Sequence, residues 1–139
     1  MQPYRKNGWA VLANSRSIPA SSDAGIVTVA GDIADPATAR NVIDTAVREF
    51  GRVDTLVNNA GVYVAKPFTD YTAEDYEFLV GVNLTGFVMT TQLAIAQMLR
   101  QGEGGTSSGG AIDALDVADP GVMRAWGALV GSALPSARP

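Results

Sequence analysis

The chain of 139 residues contains neither histidine nor cysteine. Without cysteine there are no disulfides, thiolate nucleophiles or zinc-thiolate sites. Without histidine the commonest metal ligand and the commonest general base are both missing. No metal site is expected, and any proton transfer falls to Tyr, Lys, Asp, Glu or a substrate hydroxyl. Positive charge is also scarce, with 10 Lys and Arg against 14 Asp and Glu. The resulting net charge of -4 speaks against a nucleic-acid surface. Hydrophobic residues make up 47% of the chain, too many for a disordered polypeptide. The length suits one domain of roughly 100–200 residues.

The N-terminus lacks the pattern of a secretory signal: Arg5 and Lys6 precede only the short apolar run Trp9 to Ala13. A cytoplasmic location is therefore expected. One stretch merits a membrane test, because Phe78 to Leu99 carries no charge. Asn83, Thr85, Thr90, Thr91, Gln92 and Gln97 interrupt it, and each would need a partner in lipid, so a buried helix is expected and no membrane span.

Trp9 to Ala13 reads as a strand running into the polar loop Asn14-Ser15-Arg16-Ser17. The β-branched run Gly25 to Ala30 predicts a second strand, ended by Gly31-Asp32-Ile33. Asp35 then offers an N-cap and Pro36 sits where a helix tolerates it. Ala39, Val42, Ile43, Ala46, Val47 and Phe50 form one apolar stripe, opposite Arg40, Asp44, Arg48 and Glu49. Gly51 is a natural stop, and Val53 to Val57 predicts a third strand. A second helix is expected from near Thr72 to about Arg100, with Glu74 and Asp75 in its first turn and a kink at Gly81 and Gly86. Alternating strands and helices with β-branched strands mean an α/β fold with a parallel sheet. Gln101 to Gly110 reads as a Gly/Ser-rich loop. Residues 111–139 show no clean period beyond a possible short helix around Val122–Val130.

Asn14-Ser15-Arg16, Gly31-Asp32-Ile33, Asn58-Asn59-Ala60-Gly61 and Val82-Asn83-Leu84-Thr85-Gly86 occur in the order and spacing of one family. Between Ala10 and Arg100 the sequence resembles the short-chain dehydrogenase/reductase family. The resemblance implies a partial Rossmann-type, doubly wound parallel sheet. It divides the chain into a partial NAD(P)-binding domain at 1–100 and an irregular Gly/Ala/Pro-rich tail at 101–139. It implies an oxidoreductase working on a carbonyl/alcohol pair of a small-molecule substrate. It also implies self-association through the helix at 72–100.

The same resemblance assigns site residues. Asp32 would accept from the adenine amino group, with Ile33 against the ring. Asn59, Ala60 and Gly61 would line the nicotinamide-side ribose. Ser15 and Arg16 stand where NAD-preferring relatives carry a carboxylate, and a guanidinium pairs well with a phosphate. NADP is thus expected ahead of NAD. Asn83 matches the family's catalytic Asn, which acts by opening its helix toward a water and a catalytic Lys. Asp32 as a mere turn cap and Asn83 as a buried Asn satisfying local backbone remain the plainer alternatives.

Two family elements are not found. The Gly-rich turn T-G-x-x-x-G-x-G, which cradles a pyrophosphate at a helix N-terminus, has no counterpart before Trp9. The cluster from Gly104 to Gly110 follows a helix and not a strand. No Tyr-x-x-x-Lys exists: Tyr63 and Lys66 are three residues apart in a loop. Ser107 and Ser108 lack the strand that precedes the family's catalytic Ser. Activity is therefore not expected from this chain alone, and the alternative is a non-catalytic fragment or pseudoenzyme serving as an interaction module. The strand that normally lies between those at Trp9–Ala13 and Val53–Val57 is also missing. Either these two close up, or open edges remain and invite association.

Overall fold

The structure, a computed structural model, describes residues 1–102, 106–109 and 112–116. The expected helix around Val122–Val130 and the glycines at 104, 105 and 110 lie outside the described residues. A short helix α1 (Gln2–Lys6) leads to strands β1 (Val11–Ser15) and β2 (Ile26–Ala30), which pair in parallel from Val11 opposite Ile26 to Ser15 opposite Ala30. Helix α2 (Pro36–Phe50) follows, then β3 (Thr55–Asn58). A turn of 3-10 helix at Phe68–Asp70 precedes α3 (Ala73–Val80), a π-helical segment (Gly81–Gly86) and α4 (Phe87–Arg100). Strands β4 (Thr106–Gly109) and β5 (Ile112–Asp116) complete the order.

Local chemistry explains α2 well. Asp35 accepts from the Ala37 N–H at 2.9 Å, Pro36 opens the first turn, and Gly51 closes the helix at φ 78°. The stripe Ala39, Val42, Ile43 and Ala46 is buried, with Val47 and Phe50 packed beside it. Helix α3 starts in a capping box, in which the Thr72 hydroxyl accepts from the Asp75 N–H and the Asp75 carboxylate accepts from the Thr72 N–H. The kink expected at Gly81 and Gly86 takes the form of the π-helical segment between them.

The strands form two separate sheets: β1-β2, and β3-β4-β5, with β3 and β4 parallel and β5 antiparallel. The flanking strands do not close up. α2 packs against β1 and β2, α4 packs against β3 and β4, and the two helices pack on each other. The packed helix pair thus links the two sheets. The core is Val29, Val42, Ile43, Ala46, Val53, Ala94 and Met98. Arg5 grips the Asp23 carboxylate with two hydrogen bonds, at 3.1 and 3.2 Å, and fastens α1 to the loop between β1 and β2.

Several expectations change. β1 extends to Ser15, because Asn14 and Ser15 pair with Val29 and Ala30 instead of entering a loop. β1 and β3 are half-buried, not buried, since each has a strand neighbour on one side only among the described residues. Where a loop is expected over 101–110, Thr106–Gly109 runs as a strand beside β3. The helical run Ala73–Arg100 is long and apolar enough by length and composition to cross a membrane. Its side carrying Thr90, Thr91, Ala94, Gln97 and Met98 is buried.

Candidate functional site

The end of β1 is fastened to the end of β2 by one side chain. The Asn14 amide donates to the carbonyls of Val29, at 2.9 Å, and Gly31, at 3.2 Å. The Gly31 N–H donates back to the Ser15 carbonyl at 3.1 Å. Gly31 is required sterically, because a Cβ there would lie 2.7 Å from both Cγ2 and Oγ1 of Thr38. This junction carries Ser15 and Arg16 to the surface, where both are exposed. Among the described residues the Arg16 guanidinium has no hydrogen bond or ion pair, so all its donors face solvent.

Asp32 follows β2 and is exposed. One of its carboxylate oxygens accepts from the Ala34 N–H at 3.0 Å, so it does cap the following turn. The other oxygen remains available to a ligand donor. Ile33 is seated against Gly86: a Cβ at Gly86 would lie 3.0 Å from the Ile33 carbonyl oxygen and Cγ2. Close packing at that glycine thus fixes the loop after β2 onto the π-helical segment.

Beyond β3, the Asn58 amide donates to the Thr91 hydroxyl at 2.9 Å and ties the strand end to α4 rather than to a neighbouring strand. Asn59, Ala60 and Gly61 are exposed. Asn83 reaches back to this turn. Its Nδ2 donates to the Val62 carbonyl and its Oδ1 accepts from the Val62 N–H, each at 2.8 Å. Asn83 is exposed, not buried, because the π-helical bulge turns it toward the loop and away from the core.

These segments surround one cleft of about 900 Å³. Ser15, Arg16, Asp32, Ile33, Asn59, Ala60 and Gly61 all line it, so all seven residues expected to contact a dinucleotide meet there. Asn83 does not line the cleft, although its partner Val62 does. Arg16 and Asp32 are the charged side chains of the lining among the described residues. The donor set fits a dinucleotide in part. Arg16 suits a phosphate, Asp32 an amino group, and the turn at Asn59-Ala60-Gly61 a ribose. The rest of the lining includes the apolar Leu12, Ala13, Leu56 and Val57 and the uncharged polar Asn14, Thr55, Asn58 and Thr90, so among the described residues no second cationic side chain joins Arg16 for a pyrophosphate.

Tyr63 and Lys66 do not form an acid/base pair. Tyr63 is 84% exposed, whereas Lys66 pairs with Asp75 and lies over the Tyr71 ring. The Lys66 ammonium, with the Thr72 N–H second, holds the Asp75 carboxyl down at about 2. Among the described residues no group of three or more Asp and Glu suits a metal.

Sequence reasoning missed the polar anchors. Gln101 clamps Val53 as Asn83 clamps Val62: its Oε1 accepts from the Val53 N–H at 2.8 Å and its Nε2 donates to the Val53 carbonyl at 2.9 Å. Only spatial proximity reveals such a pair, which is separated by 48 residues.

Known proteins resemble this chain in sequence and in fold. An uncharacterised oxidoreductase of Methylorubrum extorquens is 37% identical over 111 residues, which is 73% of this chain and 44% of that protein. An L-rhamnose 1-dehydrogenase (NAD(P)(+)) of Sphingomonas sp. is 42% identical over 80 residues, covering 58% of this chain and 32% of that one. The solved structure of a short-chain dehydrogenase/reductase from Serratia marcescens superposes with a TM-score of 0.64 at 27% identity, over 70% of this chain and 44% of the other. The chain spans less than half the length of these curated relatives. The family profile described as short chain dehydrogenase matches residues 6–108, more than half of the sequence, and on that ground the chain belongs to the short-chain dehydrogenase family.

Proposed function

We propose that this chain is the dinucleotide-facing part of an NADP-preferring oxidoreductase acting on a carbonyl/alcohol pair, and that it is not catalytic by itself. The observation that carries this reading is the convergence of Arg16, Asp32 and the turn Asn59-Ala60-Gly61 on one cleft. A bound dinucleotide supplies the hydride acceptor or donor. Arg16 takes the 2′-phosphate that distinguishes NADP, Asp32 takes the adenine amino group, and Gly61 leaves room for a ribose. Asn83 acts as a positioning residue, since both of its amide atoms hold Val62.

The test is calorimetric titration of the chain with NADP and NAD, before and after Arg16→Ala. A lost charge-assisted hydrogen bond is worth about 1.5–3 kcal/mol. NADP affinity should fall by that amount while NAD affinity is unchanged. Equal losses would overturn the assignment. Absolute affinities should be weak, because Arg16 is the one cationic side chain of the cleft lining among the described residues.

The reading as an interaction module is favoured by one observation, the division of the strands into two sheets. Association between copies through 72–100 has its own support in Tyr76, Leu84 and Leu99, which are 65%, 52% and 65% exposed. The burial of Ala94 and Met98 in the core that α4 forms with α2 supports a helix packed within the fold and not a membrane span.

A further inference from the structure

The π-helical segment touches both of the loops that shape the cleft. Gly86 is buried, and a Cβ there would lie 3.0 Å from the Ile33 carbonyl oxygen and Cγ2 and 3.2 Å from the Ile33 carbonyl carbon. Gly81 faces the next residue of the same loop, since a Cβ there would lie 3.4 Å from the Ala34 Cβ. Between the two glycines in sequence, Asn83 holds the Val62 N–H and carbonyl. Its neighbour Val82 is buried and lines the cleft, as do Ile33 and Val62. The buried Thr90 hydroxyl donates to the Gly86 carbonyl at 2.8 Å and fixes the segment to the first turn of α4. One stretch of six residues thus bears on the loop after β2 and on the turn after β3.

We propose that Gly81–Gly86 is a mechanical link between the two ends of the cleft. Gly86 is a positioning residue for the loop that carries Asp32 and Ile33. Asn83 is a positioning residue for the turn that carries Asn59, Ala60 and Gly61. Order imposed at either end passes to the other. The physical basis is the π-turn, which holds one residue more than an α-turn. Tightening it to α rotates the side chains on either side of it by about 100° relative to each other. Asn83 facing Val62 and Gly86 facing Ile33 are therefore compatible with each other only in the π form. The segment has two discrete arrangements, and each loop favours the one that keeps its own contact. Naming the two ends adenine and ribose rests on the dinucleotide reading, whereas the link between the loops does not.

Amide exchange is read by NMR on the full 139-residue chain, first without ligand, at two amides held by local bonds. The Ala34 N–H donates to the Asp32 carboxylate and the Val62 N–H to the Asn83 carboxamide. Asn83→Ala cuts the Val62 contact, yet exchange at Ala34 should accelerate by at least about fivefold, the low end of coupling between sites. Gly86→Ala crowds Ile33, yet exchange at Val62 should accelerate by a similar factor. Met98→Ala, about three turns along α4 from Gly86, lowers global stability and should leave both local amides within about twofold of the parent. Adenosine 2′,5′-bisphosphate, the adenine half of NADP, should slow exchange at Val62 in the parent and not in Asn83→Ala. An unmoved Ala34 amide in Asn83→Ala overturns the link, whether or not Gly86→Ala folds. Equal acceleration in Met98→Ala overturns it too, because the effect is then global. So does a bisphosphate that binds and leaves Val62 unchanged. A bisphosphate that does not bind counts against the cofactor reading alone, since the ligand-free rates decide the link.

Discussion

Asn83 holds Val62 by both faces of its carboxamide, donating to the carbonyl and accepting from the N–H at 2.8 Å each. The contact spans 21 residues and joins the π-helical segment to the turn that follows β3. Gln101 makes the same pair of bonds to Val53, just before β3. The strand is thus held at both ends by carboxamides from the one helical run, and Asn59, Ala60 and Gly61 are presented to the cleft between these two anchors.

Replacing Asn83 should loosen that turn. Each of its two bonds is worth about 0.5–1.5 kcal/mol net, so Asn83→Ala should cost about 1–3 kcal/mol in urea unfolding. Asn83→Asp should cost more near neutral pH, because it sets a carboxylate oxygen against the Val62 carbonyl. Amide exchange at Val62 should accelerate in both variants. Unchanged exchange at Val62 would show that the clamp does not order the turn.

Met98 anchors the contact between the helix layer and the sheets. It is fully buried, in a cluster with Val42, Ile43, Ala46 and Ala94. Met98→Ala should destabilise by about 2–5 kcal/mol through lost transfer energy and a cavity. Its neighbour Leu99 is 65% exposed, and Leu99→Ala should stay within about 0.5 kcal/mol. Similar losses from both would mean that α4 does not face α2 as described.

The pairing of Lys66 with Asp75 predicts an acid response. The Lys66 ammonium and the Thr72 N–H lower the Asp75 carboxyl from its ordinary value of 3.8 to about 2. A carboxyl that is more acidic in the folded state binds its proton more readily in the unfolded chain. Its contribution is present above the unfolded value and is lost as pH falls from about 4 to about 2. Urea midpoints measured across that window should drop less steeply in Asp75→Asn than in the parent. Parallel curves would refute the assignment.

How much of this was legible depended on the range of the interaction. Asp35, Pro36 and Gly51 bound α2 correctly because caps are local, and the stripe from Ala39 to Ala46 marked its buried face. Thr72 and Asp75 likewise mark the start of α3. The strand at Thr106–Gly109 was not legible, since Thr-Ser-Ser-Gly has little strand propensity and is held by pairing with β3. The half-burial of β1 and β3 goes with a strand neighbour on one side only among the described residues, which no local pattern records. The seven residues that the family's motifs suggest for a cofactor do share one cleft. Neither carboxamide clamp left a mark in the sequence, because each is a contact between distant segments.

The last prediction concerns turnover. Hydride transfer between nicotinamide and a carbonyl needs a proton donor at the carbonyl oxygen. The family resemblance assigns that role to a Tyr supported by a Lys four residues on, and no Tyr in this sequence has such a Lys. Tyr63 is solvent-exposed and Lys66 is engaged by Asp75, so neither is placed to replace that pair. With no histidine in the chain, the commonest alternative acid is missing too. Loss of acid/base help alone costs about 10²–10⁴-fold in rate. Poor fixation of the pyrophosphate adds a loss of orientation between nicotinamide and substrate. The purified chain with NADPH and a panel of ketones and aldehydes should therefore leave the absorbance of the reduced cofactor unchanged. Turnover that persists through purification and disappears in Asn83→Ala would show that this chain carries its own proton donor and that Asn83 serves it.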